Sequence, residues 1–261
     1  MPENKRYRKK NVEKWRRVCY TVIIIDAAGV EYSTLNARLR EATEPCRLIG
    51  CRGQRYIAAG MNTATVEIEG VPGNALGAYL AGAAITVRGN AQDAVGDTMN
   101  DGTIVIHGSV GDAAGYAMRG GAIYVQGNAG YRAGIHMKEY GEKQPVMVIG
   151  GRAGSFLGEY QAGGRILVLG LHTDDKPIVG NFPCTGMHGG KMFLRGHAAG
   201  VKFPDRTVVA AATPEDRAEL NPLIERFCAL FGYDPRPLLA AEYTVVTPDS
   251  HNPYKQMYVS N

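Results

Sequence analysis

The feature that most constrains this chain is a short phrase that keeps returning: Val66-Glu-Ile-Glu-Gly70, Ile85-Thr-Val-Arg-Gly89, Ile104-Val-Ile-His-Gly108 and Ile123-Tyr-Val-Gln-Gly127. Closing glycines continue at Gly150, Gly170 and Gly196, so the steps from Gly70 onward are 19, 19, 19, 23, 20 and 26 residues. Self-similarity at a fixed period marks a stacked-repeat architecture. Within each phrase apolar residues alternate, as Ile104 and Ile106 do, which is the pattern of a short strand with one face turned inward.

Glycine-spaced turns separate the phrases, for example Gly108-Ser-Val-Gly111-Asp-Ala-Ala-Gly115 and Gly127-Asn-Ala-Gly130-Tyr-Arg-Ala-Gly134. A second turn, Met118-Arg-Gly120-Gly121, is echoed at Ala162-Gly163-Gly164 and Met187-His188-Gly189-Gly190. These positions explain why the 261 residues include 34 glycines, and the alanines between them suit a narrow interior. A coil of this length cannot bury its own apolar face, so the coils must stack. The chain therefore reads as mainly β: a single-stranded right-handed parallel β-helix of roughly seven coils over residues 51–200. Before it come a basic arm at 1–17 and a strand-helix cap at 18–50; after it, at 201–261, come a helix and an extended tail that pack on the solenoid or a partner.

Three other readings of the glycines fail. A dinucleotide fingerprint occurs once, between a strand and a long helix, whereas this pattern recurs without room for a helix. A left-handed acyltransferase helix has a hexapeptide period, and the repeat here is 19 residues, not 18. A calcium-binding nonapeptide roll needs aspartates in fixed register, and Asp93, Asp97, Asp101 and Asp112 keep none.

The formal charge is +4, but the first 17 residues hold eight Lys/Arg against Glu3 and Glu13, so the body behind them carries −2. No aromatic-rich basic groove follows, so the arm reads as a solvated strap rather than a nucleic-acid grip. Five cysteines, Cys19, Cys46, Cys51, Cys184 and Cys228, form no CxxC pair, which indicates neither a disulfide framework nor a zinc site. No signal peptide or membrane span is legible, so the expected location is cytoplasmic.

In the cap, Ser33 is the expected N-cap of a helix over Leu35 to Ala42. Thr213-Pro-Glu-Asp opens the C-terminal helix in the order cap, proline, acids, with Asn221-Pro222 restarting or kinking it and Gly232 ending it. Glu242 to Tyr258 is expected to run extended over a surface.

The segments Gly111 to Gly127, Gly130 to Tyr140 and Phe156 to Leu171 resemble the GXGXG domain at the C-terminal end of the large glutamate synthase subunit, and in particular the stand-alone version of that domain. The resemblance covers about residues 18 to 258, including the tail Tyr243-Thr-Val-Val-Thr-Pro-Asp-Ser-His-Asn-Pro-Tyr254. A more distant likeness is to the solenoid-bearing subunit of formylmethanofuran dehydrogenase, which shares the Met-x-Gly-Gly turns. The resemblance implies a non-catalytic scaffold with no cofactor of its own. Glutaminase chemistry, FMN and an iron–sulfur cluster would lie in separate partner chains that turn 2-oxoglutarate and glutamine into two glutamates. In agreement, Cys19 lies well inside the chain rather than at a nucleophile's N-terminal position, and no cluster-binding cysteine array is present.

Two features suggest surfaces. The stretch Tyr131, Arg132, His136, Lys138, Glu139 and Tyr140 falls where the register gains four residues, so a bulge rich in interface-type side chains is expected there. Glu159 and Tyr160 extend it one coil later, and His172, in the insertion after Gly170, is a second candidate contact. Along the outward strand positions, Glu67, Glu69, Thr86, Arg88, Val105, His107, Tyr124 and Gln126 give way to Met147, Ile149, Leu167 and Leu169. Polar turns to apolar, so the C-terminal helix, with Leu223, Ile224, Phe227, Leu230 and Phe231 on one stripe, or a partner subunit, is expected to cover the later coils.

Overall fold

The computed structural model describes residues 21–173, 176–198 and 200–249; the basic arm, Cys19 and the end of the tail lie outside them. The elements run β1 (Ile23–Asp26), α1 (Tyr32–Glu41), β2 (Cys46–Arg52), β3 (Thr65–Val71), β4 (Ala81–Val87), β5 (Asp101–Ile106) and β6 (Ala122–Val125). They continue with β7 (Val146–Ile149), β8 (Ala162–Val168), β9 (Gly189–Arg195), β10 (Thr207–Ala211), α2 (Pro214–Phe231), α3 (Pro235–Ala240) and β11 (Tyr243–Pro248). All eleven strands belong to one sheet, ordered β1 through β9, then β11, then β10. Strands β1 to β9 are parallel, and the chain winds as a β-solenoid of about eight turns. The tail does run extended, but as a strand: β11 pairs antiparallel with β9, and β10 pairs antiparallel with β11.

Stacking satisfies the backbone. Ile85, Ile104 and Ile123 pair in line, and a second ladder of single bridges joins Ala91, Val110, Ala129, Ala153 and Val179 on another side of the coil. The apolar members of both ladders meet in one continuous interior. Where coils touch, a side chain has no room: a Cβ on Gly108 would stand 2.7 Å from the Gly89 carbonyl carbon, and one on Gly127 2.8 Å from the Gly108 oxygen. Gly70, Gly170 and Gly196 instead take positive φ, while Gly89 would meet nothing nearer than 3.4 Å.

Register corrects one expectation. Val125 pairs with Ile149 and Ile149 with Val168, so the equivalent of Gly127 is Gly151 and the steps there are 24 and 19 rather than 23 and 20. Counting from Gly150 slips the strand by one residue, and a one-residue slip exchanges its faces. Met147 and Ile149 therefore point into the solenoid, and Val148 faces outward. Leu167 and Leu169 are outward as expected, and Phe193 follows them. The extra residues also sit later than expected. Residues 131–136 keep the regular spacing, Ala117 N–H bonding Ile135 C=O, and the insertion is a small turn closed by paired bonds between Tyr140 and Lys143.

The cover is helix α2. Leu220, Ile224, Phe227 and Cys228 share a fully enclosed cluster with Tyr124, Val148, Leu167, Leu169 and Phe193. Thr213 caps the helix in a reciprocal box with Asp216, and Gly232 ends it at φ 75°. The helix continues through Pro222 without restarting, held by this burial, although the Asn221 Oδ1 beside the proline is buried without a partner among the described residues.

At the opposite end, α1 begins at Tyr32 with Glu31 at the N-cap, and Ser33 lies inside the first turn instead of capping it. The turn after β1, pinned by the Ala28 N–H bond to Asp26 Oδ1 at 2.9 Å, brings the chain into helix too early for Ser33 to serve. Leu35 and Leu39 are buried in the solenoid interior, as their spacing required. Asn36 performs the capping of the sheet's side turn: its amide donates to Tyr56 C=O and its Oδ1 accepts from Ala58 N–H, each at 2.8 Å. In later coils the backbone of the preceding coil fills that role.

Candidate docking surface

Every coil turns its corner through residues of positive φ at alternate positions. The series 75, 77, 79 recurs at 94, 96, 98, at 113, 115, 117, at 132, 134, 136, at 156, 158, 160 and at 182, 184, 186. The middle member is glycine in all but the last, where it is Cys184. In early coils the flanking members are chiefly small, such as Ala94, Thr98, Ala113 and Ala117. In later coils they are Arg132, His136, Phe156, Tyr160 and Phe182, each in a left-handed conformation that costs an L residue about 1–2 kcal/mol.

Those bulky side chains are arranged in rows. Tyr116 meets His136 edge-on at 5.9 Å, and His136 stacks on Tyr160 at 5.2 Å with planes 8° apart. Beside them Tyr131, Phe156 and Phe182 follow at 5.9 and 5.3 Å. The Arg132 guanidinium lies 5.0 Å over Phe156 and bonds Glu159 at 2.9 Å, joining the rows. The rings remain wet: Phe182 is 60% and Tyr131 47% exposed. Phe182 also stands at the mouth of a cleft of about 550 Å3 shared with Arg152, Val179, Val201 and Lys202.

Of the residues singled out from sequence, Tyr131, Arg132, His136, Glu159 and Tyr160 are thus brought together. Lys138 is exposed one turn further on, and Tyr140 is exposed in the small inserted turn. Glu139 turns to another place: its Oε1 accepts from Gly164 N–H at 3.0 Å, in a charged cleft with Arg165, Lys191 and Glu219. His172 sits in the insertion after β8 and makes none of the contacts of the aromatic rows. Sequence reading missed Tyr116, Phe156 and Phe182. The signal was present, because Phe156 precedes Gly158 by two residues as Arg132 precedes Gly134.

The remaining polar groups serve the coil. Asp93 and Asp112 each accept from a backbone N–H of the next coil, at 2.9 and 2.7 Å. His107 packs edge-on against Phe231 with Arg88 3.0 Å from its Nε2; burial, then the Arg88 charge, hold its pKa below the usual value. Cys46, Cys51, Cys184 and Cys228 are all buried, and burial pushes the thiol of Cys51 up to about 11 and that of Cys184 up to about 12, so both are protonated thiols at neutral pH. Among the described residues no three His, Cys, Asp or Glu side chains are grouped to hold a metal, and no helix is long and apolar enough to cross a membrane.

Fold and surface together define a class: a glycine-paced parallel β-solenoid with a helix-covered face and an aromatic corner. The chain belongs to the GXGXG motif family, whose pattern matches residues 36–249. It is also 41% identical over 250 residues, covering 90% of this chain and 96% of the relative, to the uncharacterized protein MJ1350 of Methanocaldococcus jannaschii.

Proposed function

We propose that this protein is a non-catalytic scaffold subunit of a glutamate synthase-like complex, in which separate chains carry the glutaminase and the FMN and iron–sulfur centres. The observation that carries the reading is the aromatic corner. Rings kept in solvent on left-handed backbone are disfavoured twice, by strain and by exposed apolar area, and a partner surface relieves the second. Tyrosine, arginine and their aromatic neighbours are also the side chains that dominate interface energetics. The glutamate chemistry rests on the likeness of the GXGXG segments to the glutamate synthase domain. The cytoplasm is the compartment that fits such a complex.

The test is reconstitution. The chain is co-expressed with the glutaminase-type and FMN/iron–sulfur-type chains of its own genome, and glutamine-dependent formation of glutamate from 2-oxoglutarate is followed. Assembly and activity are expected to need this chain, and Arg132→Ala with Phe156→Ala should weaken assembly by roughly ten-fold or more while the circular dichroism is unchanged. Full activity without the chain, or association indifferent to the double substitution, would reject the reading. So would an amidohydrolase partner with formyl chemistry.

A further inference from the structure

Strand β10 is the last of the sheet, and among the described residues nothing pairs with its outer edge. Its composition, Thr207-Val-Val-Ala-Ala211, contains no charge, proline or glycine, the devices that normally blunt an edge. Both of its faces are open. Val209 pairs with Val246 and so continues the solenoid interior, while Ala210 pairs with Val245 and continues the face under α2. Val208 is nonetheless 50% and Val209 44% exposed.

Hydrogen-bond parity decides which backbone groups are free. Ala212 N–H bonds Tyr243 C=O at 2.9 Å, and Asp249 N–H bonds Arg206 C=O at 3.1 Å. In an antiparallel pair such bonds recur at every second residue. Even-numbered residues of β10 therefore face β11, and Val209 and Ala211 direct their N–H and C=O outward.

We infer that this edge pairs with a second copy of the same chain, β10 against β10 in antiparallel register about Val209, so that two solenoids share one sheet. In that register Val209 exchanges both bonds with Val209 of the second copy, and Ala211 N–H meets the outward C=O of Thr207. The geometry is self-complementary, as a two-fold interface must be. Charges agree with it: Arg206 falls opposite Ala212 and Asp205 opposite Thr213, so no like charges meet. The opposite edge, β1, also exposes Val22, Ile23 and Ile24, but it follows an arm of eight Lys/Arg, whose repulsion opposes self-pairing.

The experiment uses the full chain in sedimentation equilibrium. A dimer is expected, and Val209→Pro should weaken it about ten-fold or more, because the N–H it removes serves only the outer edge. Circular dichroism reports whether the fold survives; should the proline variant not fold, Val209→Lys takes its place with the same readouts. Register is tested separately. Val209→Cys should cross-link to itself on mild oxidation, since directly opposed residues have Cα atoms about 5.5 Å apart, whereas Val208→Cys should not. A monomeric wild-type chain, a dimer indifferent to both Val209 substitutions, open-ended oligomers, or equal cross-linking at 208 and 209 would overturn the proposal.

Discussion

Asn36 shows how one side chain ends a stack. A terminal coil leaves the donors and acceptors of its turns without the neighbour that satisfies them elsewhere, and a buried unpaired backbone group costs about 1–3 kcal/mol. Asn36, with a donor and an acceptor on one planar amide, meets both Tyr56 C=O and Ala58 N–H. Asn36→Ala is expected to lower unfolding free energy by about 1–3 kcal/mol in urea titration. Asn36→Asp should not restore it, because a carboxylate offers no donor to Tyr56 C=O. Neither bond was legible in the sequence: Asn36 occupies an unremarkable helix position, and its role depends on which coil the helix lies against. Gly108 and Gly127 were legible because close approach of coils leaves a residue-type signature.

Among elements, α2 illustrates what pattern reading settles and what it does not. Its cap, proline and acids were written in order, and its apolar stripe required a covered face. Which strand residues formed that face depended on register, and two adjacent glycines, Gly150 and Gly151, made the register ambiguous by the one residue that matters. Only pairing with the neighbouring strands chooses between them. Leu167→Ala, which opens the covered face, is expected to cost about 2–5 kcal/mol by the same titration.

The helix is also held by charge. Lys191 Nζ bonds Asp216 at 2.7 Å and Glu219 at 2.8 Å, and Arg165 bonds Glu219 at 2.6 Å. Burial alone would raise both carboxyls. The bonds from Lys191, with Thr213 at Asp216 and Arg165 at Glu219, outweigh it and leave them below their usual 3.8 and 4.5. Carboxylates depressed in the folded state stabilise it above their unfolded pKa values, and that contribution disappears as pH falls through the folded ones. The urea midpoint of the wild type should therefore fall between about pH 5 and pH 2, and Lys191→Met should flatten that fall. Parallel curves for the two proteins would show that the cluster does not anchor the helix.

At the scale of the whole molecule, the coils make the chain nearly one-dimensional, with each layer resting on its two neighbours. The period then becomes an editable quantity. Strand β4 pairs with β5, and β5 with β6, at the same offset, Ile85 with Ile104 and Ile104 with Ile123. Removing residues 89–107 joins Arg88 to Gly108 and deletes one whole layer, so that β6 comes to rest on β4 with every side chain on its original face. Removing residues 90–107 leaves one residue too many, and the extra residue exchanges the faces of whatever strand absorbs it. The full-layer deletion is expected to keep the β-type circular dichroism and a cooperative urea transition at reduced stability. The deletion one residue shorter should be destabilised far more and expose the interior to hydrophobic dyes. The aromatic corner and the β10 edge lie beyond the cut, so the shortened solenoid should also retain both associations, separating the role of length from that of surface.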